Sequence, residues 1–94
     1  MGFLDHFKWK RSGGDGSSQE QAVIIKEKSS LAGIPAEYAW LEKRFGKEGQ
    51  DWEVSMRMHG GSPDGKSYET FHIELADGSS ATIVFDISSF YGKF

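Results

Sequence analysis

The chain has 94 residues, with 37% hydrophobic and 27% charged residues and no cysteine or asparagine. That length supports one ordinary core. It contains no run of eighteen apolar residues from which to build a spanning helix. Disulfides, zinc ribbons, thiol nucleophiles and N-glycosylation are excluded with the missing residue types. The formal net charge of −3 is unevenly spread: residues 1–30 carry five basic groups against four acidic, and residues 31–94 carry six against ten. A duplex-binding domain needs a basic face to release counterions from phosphates, so no nucleic-acid partner is predicted.

Met1 to Trp9 lack the basic start and apolar stretch of a secretory leader, which points to a cytoplasmic location. Gly2 resembles a myristoylation start, but His6 stands where Ser or Thr is wanted. Phe3, Leu4 and Phe7 share one helical face and Trp9 falls off it, so residues 1–11 offer at most a weak membrane contact. Ser12 to Ser18 is dominated by glycine and serine and reads as a soft connection. Residues 1–18 are therefore a flexible head and linker, and residues 19–94 a single small domain.

Within that domain, residues 19–31 fit two readings. Ser17 with Glu20, or Ser18 with Gln21, matches a capping box and no Gly or Pro follows until Gly33, which suits a helix. The β-branched run Val23-Ile24-Ile25 instead suits a strand over 22–27, the reading preferred here. Pro35 suits the first position of a helix, and Gly46 suits its stop. Ile34, Tyr38, Leu41 and Phe45 recur at helical spacing between them, with Glu37 in the expected first turn and Lys43 and Arg44 in the last. Three segments then alternate apolar and polar residues: 52–59, 68–76 and 80–88. The fold class is α+β, with one main helix at about 35–45 packed on a three- or four-stranded antiparallel sheet. The expected core is Ile34, Tyr38, Leu41, Phe45, Trp52, Val54, Met56, Phe71, Ile73, Leu75, Ile83, Phe85 and Ile87.

The last hairpin can be set more sharply. Cross-strand partners must share a face, and the apolar positions of both strands are odd-numbered. The loop must then hold an odd number of residues. Ala76-Asp77-Gly78 pairs Ile73 with Ala81 and Phe71 with Ile83, with Gly78 in the left-handed position such loops favour.

Two patterns carry possible chemistry. Gly60 to Ser67 fits G-x-x-x-x-G-K-[ST], a phosphate loop in which Gly60, Gly65, Lys66 and Ser67 would cradle a nucleotide. Its context argues for a plain polar hairpin loop, with Pro63-Asp64-Gly65 as the turn. The flanking segments alternate, no helix follows, and Asp64 would put a negative charge into the cradle. His59, His72 and Glu74 fall on the expected polar face of the sheet, where two imidazoles and a carboxylate could form a metal or acid–base site. Ordinary solvated polar pairs are the simpler reading. The aromatic C-terminus, Phe90-Tyr91-Gly92-Lys93-Phe94, has two readings, a short motif that docks in another protein or a return that closes the core, and the small core favours closure.

No catalytic constellation, cofactor motif or metal spacing stands out. The sequence therefore reads as a non-enzymatic protein-interaction module without cofactor, binding another protein or a copy of itself. The alternative is a minimal nucleotide or phosphate binder using Gly60–Ser67.

Overall fold

The computed structural model of the protein describes residues 14–93. The aromatic head lies outside them. Five elements follow in order: β1 (Val23–Ile24), α1 (Ser30–Phe45), β2 (Trp52–Gly61), β3 (Ser67–Leu75) and β4 (Ser80–Asp86). The fold is α+β, one helix against a four-stranded sheet of order β1-β4-β3-β2. The sheet is mixed rather than wholly antiparallel, because β1 pairs in parallel with β4. The reason is topological. The helix returns the chain so that β2 runs in the direction of β1, β3 reverses it, and β4 restores it.

The β3–β4 hairpin has the expected register, with Phe71 opposite Ile83 and Ile73 opposite Ala81. The Leu75 N–H donates to the Ser79 carbonyl at 2.8 Å, and Gly78 has φ 92°. Side chains from the helix-facing side of the sheet form the main core. Phe71 and Phe85 meet edge to face at 5.4 Å, and the helix adds Leu41, Tyr38 and Trp40. Trp40 stands edge-on to Phe85 at 5.6 Å.

The helix begins five residues before Pro35, so the proline lies inside it rather than at its first position. Two contacts draw the start forward. The Ser30 N–H donates to the Lys93 carbonyl at 2.8 Å, and the bare Gly33 backbone accepts the Phe90 ring against it. Pro35 costs one intrahelical bond, that to Leu31, in a turn where Leu31 is exposed and water is at hand. The buried stripe consequently runs Gly33, Glu37, Leu41. Ile34, expected in the core, is exposed, and Glu37, expected in a solvated first turn, is fully buried.

The C-terminal segment closes the core as expected, with Phe90 buried beside Ile87. The described N-terminal turn, at the end of the stretch read as linker, packs on the sheet. Gly16 is buried at φ 86°, its carbonyl accepts from the Val84 N–H at 2.7 Å, and an added Cβ would meet Ile83. Ala22, Tyr68 and Val84 form a second small cluster on the other side of the sheet. Among the described residues, no helix is long and apolar enough to cross a membrane.

Candidate functional site

One irregularity in β2 decides which side chains are available. Val54 pairs with Ile73, but Met56 pairs with His72, so Ser55 is an extra residue. This is a β-bulge, and its hydroxyl donates to the His72 carbonyl at 3.0 Å. A one-residue insertion in a period-two strand exchanges the faces of everything after it. Met56 and Met58 therefore point away from the helix, and Arg57 and His59 point towards it. Met56, expected in the core, is 52% exposed, and Met58 is 46% exposed.

The Arg57 guanidinium is held on the helix side. Its Nε and Nη2 both donate to Glu69 Oε2, at 3.1 and 2.9 Å. The guanidinium carbon lies 5.2 Å from the Phe71 ring centroid and 6.0 Å from that of Tyr38. Burial alone would lower the Arg57 pKa, but the hydrogen bonds and charge of Glu69 outweigh it and raise it. Above this pair sits Glu37, fully buried. Among the described residues, neither carboxylate oxygen of Glu37 has a hydrogen-bond partner. Burial pushes its carboxyl up to about 8, reinforced by the negative charge of Glu69 and opposed by Arg57. The arrangement near pH 7 is thus a neutral acid, a carboxylate and a guanidinium in series.

A groove of about 430 Å³ lies beside this cluster, lined by Arg57, His59, Glu69, Ile87, Phe90 and Tyr91 among others. His59 stacks on Tyr91 with centroids 4.2 Å apart. His72 is on the opposite face, bonded through Nδ1 to Thr82 Oγ1 at 3.0 Å. The bulge thus places His59 and His72 on different sides of the sheet, and Glu74 lies with His72. The juxtaposition of His59, His72 and Glu74 that a metal or acid–base site would need is not formed. No group of three or more His, Cys, Asp or Glu among the described residues could hold a metal ion.

The Gly60–Ser67 segment is a hairpin connection. Gly65 N–H donates to the Ser62 carbonyl at 2.9 Å, with Pro63 and Asp64 in the middle of the turn and Gly65 at φ 89°. Ser62 N–H donates to the Lys66 carbonyl, and Lys66 N–H to Asp64 Oδ1 at 3.2 Å. Ser67 N–H donates to Ser88 Oγ at 2.9 Å. Bonds from the Ser62 hydroxyl and the Lys66 N–H hold the Asp64 carboxyl below its ordinary range. The amides of Ser62, Gly65, Lys66 and Ser67 are committed within the protein, and β3 follows where a phosphate loop requires a helix. Titration with Mg-ATP is expected to leave the amide resonances of residues 60–67 in place. Shifts confined to that loop, lost in Lys66→Ala, would revive the phosphate reading.

The sheet edge completes the picture. β2 is the last strand in the sheet order, and no described strand pairs with its outer side. From Met56 to Gly61 it contains neither lysine nor proline. Its one formal charge, Arg57, is turned to Glu69. Native edges are ordinarily blunted by lysine, proline or a bulge, and beyond Ser55 this run has none of these. Sequence reasoning missed the Glu37–Glu69–Arg57 cluster because strict alternation placed Arg57 on the wet face. The run Met-Arg-Met carried no signal either way, since it is equally compatible with two buried methionines or two exposed ones.

Comparison with protein-family models, curated proteins and solved structures finds no match for this chain.

Proposed function

We propose that the chain is a non-enzymatic protein-binding module that accepts an extended segment of its partner along the outer edge of β2, at Met56–Gly61. The observation behind this reading is the bulge at Ser55. It sets two exposed methionine side chains beside an edge with no guarding charge. Backbone hydrogen bonds from an added strand supply affinity, and side chains alternating to either side supply selectivity. On one side they meet the flexible thioethers of Met56 and Met58, which adapt to varied shapes. On the other they approach Arg57 and His59 at the groove.

Selection from a displayed library of extended peptides tests this, with the chain immobilised sparsely. Binders are expected to shift β2 amides from Met56 to Gly61 and to lose about tenfold or more in affinity to Met56→Lys/Met58→Lys. Binders whose shifts avoid β2, or that ignore those substitutions, would falsify the reading.

A further inference from the structure

We infer that the partner strand at β2 comes from a second copy of this chain, paired antiparallel about a twofold axis through Met58; this rests on the strand-accepting reading above. Symmetry restricts the choices sharply. A twofold pairing sets residue i of one copy against residue S − i of the other, and both must point to the same face. S must then be even, so the axis passes through a residue position.

The positions differ in what they bring together. An axis at Met56 runs the pairing through the Ser55 bulge. An axis at Arg57 sets that guanidinium against its own copy, a like-charge contact that destabilises a sheet. An axis at His59 leaves Met56 beyond the paired strands. An axis at Met58 sets Met58 against Met58, Arg57 against His59 and Met56 against Gly60. Among the described residues, no heavy atom beyond Gly60 and its two chain neighbours lies within 4 Å of where a Cβ on Gly60 would be, so the Met56 side chain of the other copy has room to lie there. All four methionines then close into one apolar cluster on the helix-free face, covering the side chains the bulge exposes. The cost of burying them is small, since thioethers carry no charge and fill irregular gaps.

The absence of native cysteine makes the register directly readable. At the axis, the Cα atoms of Met58 and its copy would stand roughly 4.5–5.5 Å apart, within disulfide range. The two copies of residue 56 would stand four residues out of step, roughly 13 Å apart along the strands. The unmodified chain is expected to sediment as a dimer at tens of micromolar. Under mild oxidation Met58→Cys is expected to give a disulfide-linked dimer, and Met56→Cys to stay uncrosslinked. Met58→Lys, with two ammonium groups opposed at the axis, is expected to weaken the dimer about tenfold or more. Thermal melting within a few degrees of the parent chain would show that this variant is folded. A chain that is monomeric at all these concentrations overturns the inference, as does crosslinking through residue 56 in preference to 58. In the monomeric case, library peptides that still bind β2 leave the strand-accepting reading standing, and an absence of such peptides removes it too.

Discussion

Glu37→Gln is expected to stabilise the protein at pH 7 by about 2–3 kcal/mol, which corresponds to a rise in Tm of roughly 10 °C for a domain of this size. Most substitutions of fully buried residues destabilise, so the sign is diagnostic. In the folded chain the Glu37 carboxyl is pushed up to about 8, from 4.5. Between those values the folded state binds a proton that the unfolded state has released. Stability therefore falls as pH rises from about 4.5 to about 8 and levels off above that, when both states are ionised. Glutamine has the same shape and needs no proton. Thermal melts from pH 4.5 to 9 should show a downward slope for the parent chain, a shallower one for the variant, and convergence at the acid end. A variant less stable than its parent at pH 7 would mean that Glu37 is ionised and paired with Arg57.

The second large effect concerns the C-terminal closure. Phe90→Ala is expected to destabilise by about 3 kcal/mol, at the low end for a buried Phe because the tail can partly relax. Tyr91→Ala, next to it but half exposed and stacked on His59, should cost about 1 kcal/mol or less. The partner of Phe90 gives a stricter check. A Cβ on Gly33 would fall within the Phe90 ring. Alone, Gly33→Ala gains about 1 kcal/mol of helix propensity but forces the ring away, at a cost of about 1–3 kcal/mol. In a Phe90→Ala background the clash is gone and only the propensity gain remains. The same substitution should thus change from destabilising to stabilising by up to about 1 kcal/mol. Denaturant unfolding of the four chains in the cycle measures this coupling. Additive effects would show that the ring does not rest on Gly33.

These contacts also explain what could be read in advance. The β3–β4 hairpin was legible because both constraints on it are local. Alternation defines a face, and Ala76-Asp77-Gly78 supplies the one loop length that keeps Phe71, Ile73, Ala81 and Ile83 on it. The helix stop at Gly46 was legible for the same reason. Its start was not, because the first turn answers to Lys93 and Phe90, some sixty residues away. The side of the sheet on which His59 emerges was misread through β2. Alternation over Trp52–Met58 is unbroken in the sequence, so nothing local announces the bulge at Ser55.

By itself, then, the order of residues determined an α+β chain: a helix closed at Gly46, three alternating strands, a registered last hairpin and a C-terminal return. Tertiary structure alone decided the parallel placement of β1, the early start of α1 and the side of the sheet on which Arg57, His59, Met56 and Met58 emerge. The physical reason is the same in each case. Periodicity and turn chemistry act over a few residues, whereas an ion pair such as Arg57–Glu69, and the buried carboxyl of Glu37 beside it, exist only once distant strands and the helix have met.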